Sequence, residues 1–196
     1  MVVQGGLTTG RTVLVHAGAS GVGSAAIQLA RAMGARVVTT VSTTKVDPCR
    51  TLGADVVVDY TQDDFVEAAW EATAGRGVDV VLDVVGGDYL GRNLKALRTG
   101  GTIVQVGVMG GGRTEVDLGS MLPKRARLVG TVLRSRPIEE KIAVTQRFEA
   151  EVLPLFEHAV VRPVIDRRFP MAHAAEAHRH MEANANVGKI LLDVAG

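Results

Sequence analysis

A glycine-rich turn near the start of the chain constrains the fold more than any other segment. Residues 13–23 read Val-Leu-Val-His-Ala-Gly-Ala-Ser-Gly-Val-Gly, so a β-branched run stops at glycines and a segment with helical apolar spacing begins at once. This pattern predicts a buried strand, a tight turn and a helix N-terminus. The first N–H groups of a helix have no partner within it, and the helix dipole adds positive potential there. The turn therefore predicts an anion site that suits the pyrophosphate of a dinucleotide.

Two other glycine-containing motifs, the P-loop and the hydrolase nucleophile elbow, match part of the same segment. The spacing from Gly18 to Gly23 fits the start of a P-loop, but Ser24 stands where that loop needs lysine. A hydrolase nucleophile elbow at Ser20 would need a glycine where Val22 stands. In the dinucleotide pattern Ser20 replaces the middle glycine, and its hydroxyl can donate to a phosphate oxygen. The dinucleotide interpretation is therefore favoured. It places six consecutive residues at the cofactor: Gly18, Ala19, Ser20, Gly21, Val22 and Gly23.

Apolar runs bounded by glycine alternate with helical stretches over the first two thirds of the chain. The predicted strands are residues 12–16, 36–41, 55–58, 78–84, 102–106 and 127–133. Strands joined by helical crossovers form a parallel sheet with right-handed connections. The sequence therefore predicts an α/β fold, a Rossmann-type doubly wound six-stranded parallel sheet, in a dinucleotide-binding domain of residues 1–136.

The pattern changes after residue 136, and residues 137–196 are assigned to a separate C-terminal segment. Its predicted elements are one long helix over residues 138–158, an extended segment over 160–166, a helix over 172–183 and a terminal strand over 189–194. These elements do not continue the alternation of strand and helix, so they are expected to belong to another structural unit.

The ligand of such a sheet binds beyond the carboxyl ends of the strands, where the strand order reverses. The segment after the second predicted strand reads Thr-Thr-Val-Ser-Thr-Thr-Lys over residues 39–45, and no Asp or Glu occurs between Gly23 and Asp47. NAD sites carry an acidic side chain there, which would repel a 2′-phosphate. The hydroxyl of Ser42 and the ammonium of Lys45 therefore favour NADPH. The alternative is that Lys45 is a solvated residue at the start of a helix.

Composition excludes several classes of partner. The net charge of +1, with no basic stripe, argues against a nucleic-acid surface. No apolar stretch reaches the length of a membrane span, and the N-terminus lacks the pattern of a signal peptide. The single cysteine, Cys49, excludes an internal disulfide and a multi-cysteine zinc site. We therefore expect a cytoplasmic protein. We also expect no metal, since His158, His173, His178 and His180 lie at a helix end or on a surface helix, with no fitting carboxylate geometry.

Motifs along nearly the whole chain resemble those of the zinc-free medium-chain dehydrogenase/reductases, and most of all the NADPH:quinone oxidoreductases of the zeta-crystallin type. They are His-Ala-Gly-Ala-Ser-Gly-Val-Gly at 16–23, Leu-Gly-Ala-Asp at 52–55, Asp-Val-Val-Gly at 83–86, Val-Gly-Val-Met-Gly-Gly-Gly at 106–112, Leu-Arg-Ser-Arg at 133–136 and Met-Glu-Ala-Asn-Ala-Asn-Val-Gly-Lys at 181–189. The resemblance implies hydride transfer from NADPH to a quinone or another conjugated carbonyl, such as an enone.

The resemblance also implies which residues contact the cofactor, and these follow the predicted strand ends. Besides Ser20, Gly21 and Val22 at the pyrophosphate, they are Ser42 and Lys45 at the adenosine phosphate, Tyr60 at adenine, Gly107, Val108 and Met109 beside nicotinamide, Leu133 and Arg134 at the far wall of that pocket, and Val85, Asn186 and Lys189 at further positions. The cofactor carries the reactive hydride, so the protein mainly positions it against the acceptor. No catalytic residue is assigned.

Members of this family begin with a β-rich catalytic domain of about 100–150 residues, whereas the first predicted strand here begins at residue 12. We therefore expect that domain to be missing and residues 137–196 to be the segment that would complete it. Its unpaired strands would favour a homodimer, and the chain alone would reduce quinones slowly. Two alternatives stay open: an enoyl-thioester reductase, and a non-catalytic NADPH-binding module.

Overall fold

The computed structural model describes residues 1–194 and contains a six-stranded sheet in which every pair of neighbours is parallel. Its strands are β1 (Thr12–His16), β2 (Arg36–Val41), β3 (Val56–Asp59), β4 (Val78–Asp83), β5 (Leu97–Gln105) and β6 (Arg127–Gly130). The strand order is β3-β2-β1-β4-β5-β6. The order reverses between β1 and β4, and this opens a crevice at their carboxyl ends. The predicted Rossmann-type doubly wound sheet is confirmed.

Helices cover both faces of the sheet and continue into the C-terminal segment. They are α1 (Val2–Gly5), α2 (Gly21–Ala32), α3 (Val46–Thr51), α4 (Phe65–Ala72), α5 (Tyr89–Ala96), α6 (Leu118–Lys124), α7 (Ile138–Glu151), α8 (Leu153–Glu157) and α9 (Ala174–Glu182). Short 3₁₀ turns, Thr43–Lys45 and Met171–His173, follow β2 and precede α9. Within residues 1–194, none of the helices is both long and apolar enough to cross a membrane.

The continuous apolar runs of the central strands follow from burial on both faces. Val13 and Val15 pack on one side with Ile27 of α2, while Leu14 packs on the other with Phe65 of α4. All five of these side chains are fully buried. Because successive side chains of a strand point to opposite faces, a strand covered on both sides must be apolar throughout.

Several predicted bounds differ from the observed ones, most of all for β5, which begins at Leu97 rather than at residue 102. Two further differences have identifiable reasons. Strand β6 ends at Gly130 rather than residue 133, because its partner β5 ends at Gln105, the residue paired with Gly130. The predicted helix over 138–158 is two helices, α7 and α8, that meet at Val152. Pro154 has no backbone N–H, so the hydrogen bonding of α7 cannot continue through it.

The C-terminal segment forms a small sheet of its own. Strand β7 (Ile165–Pro170) pairs in parallel with β8 (Lys189–Asp193). The extended segment predicted over residues 160–166 is therefore placed too early, and the two strands expected to be unpaired pair with each other. The connector before β7 is held by Gln28 of α2, whose side-chain amide bonds both peptide groups of Arg162: its Nε2 donates to the carbonyl over 3.0 Å and its Oε1 accepts from the N–H over 2.9 Å.

Candidate functional site

The turn between β1 and α2 presents unpaired donors to the crevice. Ser20 is the N-cap of α2, and its Oγ accepts the N–H of Gly23 over 2.9 Å. Among residues 1–194, no protein acceptor receives the N–H groups of Gly21 and Val22. The hydroxyl hydrogen of Ser20 is also left to donate. The turn therefore combines the donors and the helix-dipole potential that an anion needs.

Close packing explains why the first and last positions of the turn, 18 and 23, are glycine. A Cβ at Gly23 would lie 2.6 Å from Cα of Gly18 and would overlap the carbonyl oxygen of Ala17. A Cβ at Gly18 would overlap Oγ1 of Thr39 on β2. The start of α2 is therefore packed directly against the end of the strands, and this close packing points its first N–H groups at the crevice.

Lys189, the first residue of β8, places its ammonium over the third glycine of the turn, Gly21. A Cβ at Gly21 would lie 2.7 Å from Nζ of Lys189. The position of Lys189 is set by the backbone, since Gly188 donates to the carbonyl of Ala19 over 2.7 Å and forms a parallel bridge with Ser20. The predicted residues Ala19, Ser20, Gly21 and Lys189 are thus brought together, with an ammonium above the helix N-terminus. The side chain of Asn186 donates to the carbonyl of Gly188 over 3.0 Å.

Lys45 lies in the 3₁₀ turn after β2 and is only 7% exposed. Its Nζ donates to Oδ1 of Asn184 over 2.8 Å. Burial lowers the pKa of Lys45, and the nearby charge of Asp166 opposes this shift. The interpretation of Lys45 as a solvated residue is therefore wrong. The neighbouring Ser42 is half-buried, and its side chain does not cap the turn.

A carboxylate lies beside the end of β2, on the neighbouring strand β3. Asp59 ends β3 directly beside Val41 of β2. Its Oδ1 accepts from both the N–H and the hydroxyl of Thr61, over 3.0 and 2.7 Å. Hydrogen bonds from Thr43 and Thr61 hold the pKa of Asp59 below its usual value. This carboxylate is therefore already hydrogen-bonded within the turn that follows β3. The following residue, Tyr60, is 44% exposed.

The loops after β4 and β5 pack side by side at the other end of the crevice. Met109 donates its N–H to the carbonyl of Val84, and Gly110 donates to that of Val85 over 2.7 Å. A Cβ at Gly107 would lie 3.0 Å from the carbonyl oxygen of Val84. These contacts bring the predicted residues Val85, Gly107, Val108 and Met109 together.

The predicted far wall of this pocket lies in the exposed loop after β6. It consists of Leu133 and Arg134, and Leu133 is 58% exposed. The carbonyl of Arg134 accepts from Nζ of Lys141 on α7 over 2.9 Å. Within residues 1–194 this loop is hydrogen-bonded to α7 and, through the N–H of Thr131, to Gln105 at the end of β5, but not to the loops that follow β4 and β5.

A buried polar chain that the sequence analysis did not single out supports the loop after β4. Nε2 of His16 on β1 lies 2.7 Å from Oδ1 of Asn93 on α5, and Nδ2 of Asn93 donates to Oδ2 of Asp83 over 2.9 Å. The other oxygen of Asp83 accepts the N–H groups of Val85 and Gly86, over 2.6 and 2.9 Å. The chain thus links β1, α5 and β4 to the loop that borders the crevice.

The donor directions in this chain specify the form of His16. Asn93 uses its amide nitrogen to donate to Asp83, so its oxygen must accept from Nε2 of His16. Complete burial lowers the pKa of His16 to about 4, so the ring is neutral and carries its one proton on Nε2. Nδ1 of His16 therefore accepts from the hydroxyl of Thr40, at 3.0 Å.

We predict that the chain becomes less stable as the pH is lowered, because of this histidine. Unfolded His16 takes up a proton near the ordinary histidine pKa of 6.5 and folded His16 near a pKa of about 4, so acid favours the unfolded chain. The loss develops between about pH 6.5 and pH 4 and reaches about 3 kcal/mol. Urea unfolding across this range measures it. His16→Gln keeps a donor and an acceptor and removes this part of the pH dependence; an unchanged profile would contradict the prediction.

Two histidines of the C-terminal segment have carboxylate partners. His180 lies 2.8 Å from Asp166, and His173 lies 3.1 Å from Glu176. Each contact is a pair. Over the described part of the chain, no cluster of three histidine, cysteine, aspartate or glutamate residues has a geometry that could hold a metal ion.

Comparison with known proteins gives consistent matches over nearly the whole chain. A family model described as zinc-binding dehydrogenase matches residues 21–151. A quinone oxidoreductase from Pseudomonas aeruginosa is 34% identical over 191 residues, which are 95% of this chain and 57% of that protein. The spectinabilin polyketide synthase system protein NorB from Streptomyces orinoci is 37% identical over 200 residues, covering 98% of this chain and 8% of that protein.

A solved structure of Escherichia coli quinone oxidoreductase in complex with NADPH is also similar. It superposes with a TM-score of 0.83 at 30% identity and covers 96% of this chain and 58% of that one. The chain spans about half the length of the curated quinone oxidoreductases that it matches, 57% and 55% for those from P. aeruginosa and E. coli.

Proposed function

The chain belongs to the zinc-binding dehydrogenase family. On this premise we propose that it binds NADPH and forms the cofactor-binding part of a zinc-independent reductase. The quinone oxidoreductase relatives confirm the resemblance that the sequence motifs predict. The observation that carries the proposal is the anion cradle at α2. There the N–H groups of Gly21 and Val22 have no partner among residues 1–194, and the ammonium of Lys189 lies over Gly21.

The residues of the crevice fit a dinucleotide along its length. Gly21, Val22 and Lys189 would bind the pyrophosphate, and Lys45 the adenosine phosphate. The loops that contain Val85 and Met109 would border nicotinamide. When bound, the cofactor supplies a hydride to the acceptor. The part of this chain is to orient the dinucleotide and to limit the access of water to it.

Zinc independence is supported by the chemistry of the one cysteine in the chain. Burial raises the pKa of Cys49 to about 11, and the residue is fully buried. Zinc binds the thiolate form of cysteine. Cys49 is therefore poorly suited as a ligand.

The proposal includes self-association and a cytoplasmic location. Within residues 1–194 the outer edge of β6 pairs with no strand, and Leu128 on β6 is 46% exposed. Edge-to-edge pairing with a second copy would satisfy the strand and cover the leucine. The single cysteine is compatible with a reducing compartment.

A quinone or another conjugated carbonyl is the proposed acceptor, because the relatives from P. aeruginosa and E. coli are quinone oxidoreductases. An enoyl thioester is the second candidate, since a polyketide synthase system protein matches 98% of the chain. Both acceptors carry a carbon–carbon double bond conjugated to a carbonyl, so the acceptor pocket distinguishes them rather than the cofactor.

The acceptor class is tested by following NADPH oxidation with a simple ortho-quinone and with an enoyl thioester at matched concentrations. We expect a higher kcat/KM for the quinone. A higher value for the thioester would support the second candidate. Binding of NADPH without reduction of either acceptor would support a non-catalytic NADPH-binding module.

The cradle is tested by Gly21→Val. The branched side chain would displace Lys189 and fill the space in front of the two N–H groups, so we predict that NADPH binding is lost. The overlapping atoms belong to the flexible end of a lysine, so the fold should persist, as circular dichroism can check. Binding that survives, seen as enhanced NADPH fluorescence, would place the cofactor elsewhere.

The preference for NADPH is tested at Lys45. Lys45→Met keeps an apolar stem of similar length in the buried site and removes the charge. We predict that the native chain binds NADPH at least about tenfold more tightly than NADH, or about 1.4 kcal/mol, and that the variant loses this ratio through weaker NADPH binding. Calorimetric titrations with both cofactors measure the ratio. Equal affinities in the native chain would contradict the preference.

A further inference from the structure

The short segment that joins α9 to β8 contacts both ends of the proposed cofactor site. Asn184 at its start accepts from Nζ of Lys45, and Lys189 at its end lies over Gly21. Between them, Val187 donates its N–H to Oδ1 of Asp166 over 3.0 Å, which fixes the middle of the segment. One stretch of backbone therefore places an amide oxygen at the adenosine end and an ammonium at the pyrophosphate end.

The backbone holds Asn184 in a defined conformation. Its φ of 50° lies in the left-handed region, and its N–H donates to the carbonyl of Met181 over 2.9 Å as α9 ends. Asparagine adopts this conformation more readily than most residues other than glycine. The side chain of Asn184 is thus directed by a helix terminus and not by a freely moving loop.

The ammonium of Lys45 is incompletely satisfied in its buried position. It has three N–H donors, and over residues 1–194 its one hydrogen-bond acceptor is Oδ1 of Asn184, at 2.8 Å. The lysine is 7% exposed, so water replaces the missing acceptors poorly. The charge of Asp166 favours the charged form of Lys45, although Asp166 makes no hydrogen bond to the ammonium. Two donors are therefore left for an anion.

We propose that Asn184 is a positioning residue that holds the Lys45 ammonium for the 2′-phosphate of NADPH, a role that rests on the proposed function. The neutral amide fixes one N–H of the ammonium and adds no negative charge of its own. A phosphate then meets a preoriented donor, and less side-chain entropy is lost on binding. NADH lacks this phosphate, so the contribution of Asn184 is specific to NADPH.

Three variants separate this role from general support of the loop. Asn184→Gly removes the amide and tolerates the left-handed φ. Ala185→Gly is the matched control, because it loosens the adjacent position and leaves the contact with Lys45 in place. Asn184→Asp keeps an acceptor at the same place and adds a negative charge that would repel the phosphate.

The readout is the affinity of each chain for NADPH and for NADH, measured by calorimetry. We expect Asn184→Gly to weaken NADPH about fivefold, the equivalent of one hydrogen bond, with NADH unchanged. Asn184→Asp should weaken NADPH further, and Ala185→Gly should change neither affinity. In the Lys45→Met background, Asn184→Gly should have no further effect. Thermal unfolding of each variant checks that the fold is retained.

Three results would overturn the inference. An equal loss of NADPH and NADH affinity would show that Asn184 supports the pocket as a whole. Tighter NADPH binding by Asn184→Gly would show that the amide competes with the phosphate. An undiminished effect in the Lys45→Met background would show that Asn184 acts without Lys45.

The same measurements separate this inference from the proposed function. If Lys45→Met lowers the NADPH to NADH affinity ratio and Asn184→Gly does not, only the role of Asn184 fails. If Lys45→Met leaves the ratio unchanged, the proposed cofactor preference fails, and the role of Asn184 fails with it.

Discussion

Helix α2 begins so close to the end of β1 that a side-chain carbon at Gly23 would overlap backbone atoms of the preceding turn. Most of the site depends on this contact. It allows Ser20 to cap the helix, and it directs the N–H groups of Gly21 and Val22 into the crevice at the strand reversal. A side chain at position 23 would force the start of α2 away from the end of β1 and would disturb the placement of these donors.

The buried polar chain through His16, Asn93 and Asp83 gives the opposite side of the crevice a defined shape. Each member has a hydrogen-bond partner, and no buried side-chain N or O atom within the described residues lacks one. Such a chain stabilises only when it is complete, because a single missing partner leaves a polar group buried and unsatisfied. Its end at Asp83 holds the loop after β4 through two N–H groups. The loop proposed to border nicotinamide is therefore supported from the core.

The C-terminal segment is part of the site, although it lies outside the six-stranded sheet. Gln28 holds its connector through two hydrogen bonds, and Gly188 bonds the glycine-rich turn. These contacts bring a lysine, Lys189, to the turn. The chain spans about half the length of its quinone oxidoreductase relatives.

The amino-acid sequence alone determined the sheet and the glycine-rich turn, because both depend on local patterns. Apolar strand runs, helical spacing and the glycines at 18, 21 and 23 each act over a few residues, so β1 and β2 have the predicted bounds. The tertiary structure decided the burial of Lys45, the pairing of β7 with β8 and the position of Lys189 over Gly21. Lys45 and Asn184 are 139 residues apart in sequence. No local pattern encodes such a contact, because it exists only after the sheet has placed the end of β2 beside the end of α9.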